Sequence, residues 1–312
     1  MCEDNHTTVT YVFLLGFQNL HSFKIPLFLI LLFLYIIIVV GNLLVILTVL
    51  IAKNLRHPMY IFLQNLALSD FLFSTVVVPQ LLYITWWETG QLLIVGCIFQ
   101  FYMYSFFGIV QCYLLTVMAY DRYLAICDPL RYSSLLSIQH CHRLVYLSWS
   151  FAFMLISLEV IFLFQLKFCD SNIIDHFFCE LSPILKLSSS QTVIIMWQDL
   201  FLSIVNILLP FLFVLISYIC IMVTILNIPS ITGRKKAFST CSTHLLLVCI
   251  YFGALIALYI APSGDNSHNE DKFKSLINTV LTPFCNPLIY SVRNKELMKG
   301  FKTFVPRQIW TK

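Results

Sequence analysis

Charge is what this sequence has least of. Asp, Glu, Lys and Arg make up 11% of its 312 residues, where a soluble domain carries about a quarter. Together with 59% hydrophobic residues and a mean hydropathy of +0.86, that scarcity excludes an ordinary soluble domain. The net charge is only +4, and no basic stripe with interleaved aromatics appears, so nucleic acid is excluded as a partner. There is no glycine-rich phosphate loop, no nucleophile–base pair and no metal-ligand framework, which leaves an enzyme without a site and implies no cofactor. His176-x-x-Cys179-Glu180 and His140-Cys141-His142 lack the spacing and the fourth ligand of a zinc site. Internal repeats are missing, against an inverted-repeat transporter. Residues 1–24 have no basic stretch leading into a short apolar core, so no cleavable leader is expected.

Long apolar runs are what the chain has in abundance. A membrane-crossing helix needs about 20 mostly apolar residues. Seven stretches read this way, at roughly 26–50, 58–82, 97–126, 143–165, 197–226, 238–261 and 273–291. The seventh is the weakest, because it holds Asn278, Asn286 and two prolines. The expected class is therefore all-α: a seven-transmembrane helix bundle in one domain over residues 1–312. Residues 1–25 form an outer segment, 166–196 a long loop and 292–312 a tail. Arg56, Arg122, Arg131, Arg143, Arg234, Lys235, Lys236 and the basic tail fall on one side. The positive-inside bias makes that side cytoplasmic and the N-terminus extracellular, at the plasma membrane. The glycosylation sequon at Asn5 agrees. In the tail, Leu297, Phe301 and Phe304 alternate with basic residues, the pattern of a short amphipathic eighth helix on the membrane lipid.

Polar groups within the spans are few. Asp70 is the only acid deep in the second, and a buried carboxylate must pair, bind a cation or take up a proton. Asn42, Gln111 and Asn286 are its candidate neighbours, in a structural knot or an ion site. Glu159 and Asp199 lie nearer the outer ends of their spans, within reach of water. At the end of the third span, Asp121-Arg122 is either a functional pair or an anchor to the headgroups. Pro210, Pro283 and Pro287 loosen the helices that hold them, and Asn286-Pro287-x-x-Tyr290 reads as a hinge. Most of the 11 cysteines sit in apolar segments. Cys97, Cys169 and Cys179 fall on the oxidising side, where disulfides form.

Asp121-Arg122-Tyr123, Asn286-Pro287-x-x-Tyr290, Asp70, and Cys97 with Cys179 resemble a rhodopsin-like G-protein-coupled receptor. Four further stretches narrow the resemblance: Pro58-Met-Tyr-Ile-Phe-Leu63, Met118-Ala-Tyr-Asp-Arg-Tyr-Leu-Ala-Ile-Cys127, Lys236-Ala-Phe-Ser-Thr-Cys241 with His244, and Pro287-Leu-Ile-Tyr-Ser-Val-Arg-Asn294. Over nearly the whole chain they are similar to olfactory receptors of the larger, tetrapod-type class. That resemblance implies an odorant in the outer half of the bundle and a heterotrimeric stimulatory olfactory G protein that raises cyclic AMP. It implies that a Cys97–Cys179 bridge pins the long loop. It implies that Asp121 holds Arg122 at rest, that Tyr218 and Tyr290 stabilise the open state, and that Lys235 and Lys236 border the coupling surface.

Helical spacing suggests the pocket. Tyr104, Ser105, Gly108, Ile109 and Cys112 share one face of the third span. Leu202, Ser203, Asn206 and Ile207 would face them from the fifth. Phe252, Leu255, Ile256 and Tyr259 would come from the sixth, and Leu276 and Thr279 from the seventh. Plain helix packing accounts equally for the aliphatic members, whereas Ser203, Asn206 and Tyr259 are suited to orient a ligand. No acid or base is among these residues, so a neutral, largely apolar ligand is expected. Three departures from the family matter. Gln111 stands where relatives carry glutamate, which implies weak sodium dependence. Ser189 replaces a cysteine, leaving Cys169 either free or paired with Cys2. Tyr251-Phe252 inverts the usual order, which removes a hydroxyl from the pocket floor. The competing readings are a receptor of the same fold for a non-odour metabolite, and a channel or transporter.

Overall fold

The computed structural model describes residues 9–18, 20–52, 55–169, 172–259, 268–293 and 295–301. Its elements run β1 (Tyr11–Leu14), α1 (Lys24–Ile51), α2 (Pro58–Trp87), β2 (Gly90–Leu93), α3 (Ile94–Cys127), α4 (Tyr132–Leu135), α5 (Ile138–Leu163) and β3 (Ile173–Ile174). They continue through α6 (Leu181–Lys186), α7 (Val193–Ser203), α8 (Leu209–Asn227), α9 (Ile231–Tyr259), α10 (His268–Leu276), α11 (Thr282–Arg293) and α12 (Lys295–Phe301). Local signals set several starts. Pro58 opens α2 after an extended His57, where a missing N–H costs nothing. Ser137 caps α5, its hydroxyl accepting from the His140 N–H at 3.3 Å.

Six described helical stretches are long and apolar enough to cross a membrane: residues 21–51, 58–87, 94–127, 138–163, 193–227 and 241–258. The seventh member of the bundle, α10 to α11, is not, because its buried residues include Lys272, Ser275, Asn278, Thr279 and Asn286. It is held by packing against α1, α2 and α9 instead. Several helices also outrun the expected spans: α2 continues to Trp87, and α5 and α7 begin at Ile138 and Val193. Helical hydrogen bonding continues past the apolar stretch, so hydropathy underestimates helix length.

Two π-helical segments interrupt the bundle, Ile204–Leu208 between α7 and α8 and Ile277–Leu281 between α10 and α11. Each precedes a proline whose ring would meet the carbonyl four residues back. For Pro210 that residue is Asn206, and for Pro283 it is Thr279, both inside a π segment. The wider turn is how these helices absorb the proline.

A small sheet, which the all-helical expectation did not include, closes one end of the bundle in the order β2-β1-β3. β1 pairs antiparallel with β2 (Tyr11 opposite Leu93) and parallel with β3 (Phe13 opposite Ile173). Val12 and Leu14 are fully buried against Ile84, Ile98 and Ile174. Cys97 and Cys179 form a disulfide that ties the segment after β3 to the start of α3. The Cys179 N–H donates to Gln100 Oε1 at 3.0 Å, and Gln100 Nε2 donates to the Val76 carbonyl at 3.0 Å. Cys169 is disulfide-bonded rather than free; Cys2 and the Asn5 sequon lie outside the described residues, as does Phe304. At the opposite end Leu297 of α12 is fully buried, and α12 packs on α1.

Gly16 is the joint of this closure. Its φ is +61°, and a Cβ there would run into Ile84 Cγ2. Its carbonyl accepts from Lys272 Nζ at 2.7 Å, and Lys272 Nζ also pairs with Asp175 at 2.5 Å. One ammonium thus joins the N-terminal segment, the loop and α10. Gly16→Ala should lower stability by about 1–3 kcal/mol through φ strain and overpacking, read as a lower Tm of the purified receptor. Gly253→Ala, whose Cβ meets nothing within 4 Å, should leave Tm unchanged or higher. Equal Tm values for the two variants would show that Gly16 is not the joint.

Candidate functional site

A cavity of about 600 Å³ opens below the sheet, walled by α3, α5, α6, α7, the first π segment and α9. From α3 it is lined by Tyr104, Ser105, Gly108, Ile109 and Cys112, and from the fifth helix by Leu202, Ser203, Asn206 and Ile207. Leu255 of α9 joins them. These ten are residues that helical spacing had grouped.

Phe252, Ile256, Leu276 and Thr279 do not line the cavity. α9 is rotated by about one residue from the face expected, so Tyr251 and Leu255 look inward. Phe252 packs on Phe211, with ring centroids 5.2 Å apart, and Ile256 is 44% exposed on the outer surface. The π segment likewise turns the seventh helix. Asn278 faces the cavity, while the Thr279 hydroxyl donates to the Ser275 carbonyl at 2.8 Å. Leu276 lines a separate apolar recess with Leu27, Leu31 and Phe284. The Tyr259 side chain lies outside the described residues. The inverted Tyr251-Phe252 pair does not strip the cavity of a hydroxyl either. Tyr251 supplies one, but its O–H donates to the Gly108 carbonyl at 2.7 Å.

The expected absence of acids and bases does not hold. Glu159 of α5, Glu180 beside the disulfide, Asp199 of α7 and Lys186 of α6 all line the cavity. Glu159 is not in water but 4% exposed. Both acids were visible at the ends of their spans; only the rotation of α5 and α7 turns them inward. Two of the amides in the wall are already engaged. Asn206 Oδ1 accepts from the Tyr113 O–H at 2.5 Å, and Asn278 Nδ2 donates to the Tyr104 hydroxyl at 3.1 Å.

In the loop above, His176 Nε2 lies 3.7 Å from Glu180 Oε2. Burial, and then Lys272, pushes the imidazole down from 6.5 to about 4. Burial, with Asp271 and Asp199 nearby, pushes the Glu180 carboxyl up from 4.5 to about 7. Near neutrality the imidazole is therefore uncharged and Glu180 is only partly ionised, as suits groups withdrawn from water.

Deeper in the bundle Asn286 Nδ2 donates to Asp70 Oδ2 at 2.7 Å. Asn42 and Gln111, the other expected neighbours, make no hydrogen bond to this carboxylate. Asn42 Nδ2 donates to the Ile38 carbonyl at 2.9 Å and the Pro283 carbonyl at 3.4 Å. The latter is the acceptor that Pro287, lacking an N–H, leaves without its helical partner. Gln111 lines the cavity instead.

At the far end of α3, Arg122 is 8% exposed and turns onto its neighbour rather than outward to headgroups. Arg122 Nε donates to Asp121 Oδ2 at 2.8 Å, and Arg122 Nη2 donates to the same oxygen. The Tyr132 O–H of α4 donates to Asp121 Oδ1 at 2.8 Å. Tyr218 and His244 Nδ1 are hydrogen-bonded at 2.7 Å, joining α8 to α9. Tyr290 is fully buried, and Tyr123 packs half-buried beside the core. Lys235 and Lys236 are exposed on the first turns of α9, and Pro287 lies inside α11.

A family model described as olfactory receptor matches residues 31–307. The chain is similar to olfactory receptor 10A7 of Homo sapiens, 39% identical over 312 residues, covering 100% of this chain and 98% of that protein. It is also 40% identical to olfactory receptor 1 of Rattus norvegicus, covering 99% of both. Olfactory receptor 1M1 of Mus musculus is 39% identical, over 100% of this chain and 99% of that one.

The His176–Glu180 pair carries opposite pH signatures. Folded Glu180 holds a proton that the unfolded chain has released, so its contribution falls as pH rises from 4.5 to about 7. Folded His176 has lost a proton that the unfolded chain retains, so its contribution rises from about pH 4 to 6.5. The two oppose each other in the wild type. In that window Glu180→Gln should leave Tm rising with pH, and His176→Gln should leave it falling. Parallel Tm–pH profiles for the two variants would refute these protonation states.

Proposed function

The chain belongs to the olfactory receptor family, and on that premise we propose that it is an odorant receptor. A small, largely apolar volatile molecule binds the cavity between α3, α5, α7 and α9. The occupied bundle activates a stimulatory olfactory-type G protein and raises cyclic AMP. In this reading residues 1–312 are one receptor domain in the plasma membrane, with the N-terminus and the disulfide end extracellular. The Arg122 end is cytoplasmic, as the Lys and Arg distribution supports.

The observation that carries the reading is the arrangement on α3. The cavity lies along its middle turns, between the disulfide at Cys97 and the pair at Asp121-Arg122. The cavity volume is within the range for small-molecule sites. Activation is a population shift: the ligand must bind the active arrangement better than the resting one. In the resting arrangement Asp121 engages Arg122 and Tyr132 braces Asp121. Releasing that set frees the guanidinium for the G protein, with Tyr218 and Tyr290 stabilising the open bundle and the exposed Lys235 and Lys236 bordering the coupling face.

Two measurements test this in cells matched for surface receptor. A Cβ on Gly108 meets only Phe73 Cε2 at 3.7 Å, so Gly108→Ala adds one methyl to the cavity wall at no packing cost. It should shift the potency of volatile agonists in a cyclic AMP assay by about tenfold or more, whereas Ile256→Ala should not. Unchanged potency for every agonist would remove the cavity from the mechanism. Asp121→Asn should raise ligand-independent cyclic AMP severalfold, and Tyr132→Phe by less, since it removes one brace. Unchanged basal signalling in both would rule out the resting lock.

A further inference from the structure

Two acids of the cavity wall, Glu159 and Asp199, stand without a counter-charge among the described residues. Glu159 is 4% exposed, and its Oε1 has no hydrogen-bond partner. It lines the same cavity as Asp199, with which it interacts electrostatically, and α5 packs on α7. Among the described residues neither acid forms an ion pair. A carboxylate withdrawn from water is costly unless a cation or a proton meets it. A second carboxylate beside it raises that cost.

Glu159 Oε1 is thus a buried acceptor without a donor, in the wall of a cavity. Gln111 Nε2, in the α3 part of the wall, is also buried without a partner, but as an N–H donor it calls for an acceptor and is not met by an ammonium. Among the described residues the one cation lining the cavity is Lys186, which is exposed on α6. Ile109, Leu202, Ile207 and Leu255 give the same wall an apolar part.

We propose that the ligand class of this cavity is small volatile amines, the protonated nitrogen held by Glu159 and Asp199 and the apolar body lying against α3 and α9. This rests on the odorant-receptor reading and replaces the neutral ligand expected from sequence. One ammonium between the two carboxylates relieves both their desolvation and their repulsion. A neutral alcohol of the same shape fills the apolar part but leaves both acids unmet.

The test compares hexylamine, cyclohexylamine and phenethylamine with hexanol, cyclohexanol and phenethyl alcohol. Cyclic AMP is read in cells with antibody-verified surface receptor, against mock-transfected cells. Each effective amine should be at least about tenfold more potent than its alcohol, as expected for a buried charge-assisted contact. In Glu159→Gln, which keeps the shape, amine potency should fall to that of the matching alcohol. Asp199→Asn is the second variant, should Glu159→Gln fail to reach the surface, and should narrow the amine–alcohol gap. Alcohols as potent as amines, or amine potency unchanged in both variants, overturns the proposal while leaving the odorant reading in place. Silence toward every amine also overturns it. If no alcohol acts either, the odorant reading of the cavity falls with it.

Discussion

A helix packed on most sides by other helices has no water to satisfy its polar groups, so each must find a partner across an interface. In this bundle the constraint concentrates on α3, which packs against α2, α5, α8 and α9. Its partners are distributed along its whole length. Gln100 reaches α2 and the loop, Tyr104 meets Asn278, and the Phe107 and Gly108 carbonyls accept from Ser69 and Tyr251. Tyr113 binds Asn206, and Asp121 closes the series with Arg122 and Tyr132. Each such bond contributes modestly in net terms, but leaving one unmade costs more. The set therefore fixes the rotation of α3 relative to its neighbours.

The same constraint explains why the proline turns sit where they do. A proline removes one donor and displaces one carbonyl, and in a membrane both must be absorbed internally. Widened turns before Pro210 and Pro283 absorb the displacement, and Asn42 supplies a donor to the Pro283 carbonyl. These turns also change which side chains face inward, bringing Asn206 and Asn278 to the cavity. Helix irregularity and ligand site are thus one feature. The α9 contacts follow the same logic: Tyr251 bonds α3 beside the cavity, and His244 of the same helix bonds Tyr218 near Arg122. A ligand that displaces α9 at one end acts on a helix already bonded at the other.

Above the cavity, closure depends on segments far apart in sequence. β1 is the middle strand between β2 and β3, Cys179 is bound to Cys97, and Lys272 joins Gly16 to Asp175. The disulfide is covalent, whereas the strand pairs and the Lys272 contacts are each modest alone. Together they hold the acidic loop residues Glu180 and Asp175 over a cavity whose wall already carries Glu159 and Asp199. The polarity of the site is therefore set by the lid as much as by the helices.

The sequence by itself determined the helical bundle, because apolar run length and the scarcity of charge leave no other way to satisfy the backbone in lipid. It placed Asp121 and Arg122 at the end of the third span but left Arg122 between its neighbour and the headgroups. Successive side chains of a helix do not face each other, and the fold turned the guanidinium onto Asp121. Nine of the ten cavity residues that helical spacing grouped lie on α3 and the fifth helix, where i, i+1, i+4 spacing marks one face. What only the tertiary structure decided were the quantities that periodicity does not carry. These are the rotation of α9 by about one residue, the register change at two π turns, and the pairing of a four-residue strand with partners from two distant segments. Glu159 and Asp199 show the difference most plainly. Their chemistry was visible in the chain, but whether they face water or a cavity depends on how two helices turn toward each other, and a single sequence holds no measure of that angle.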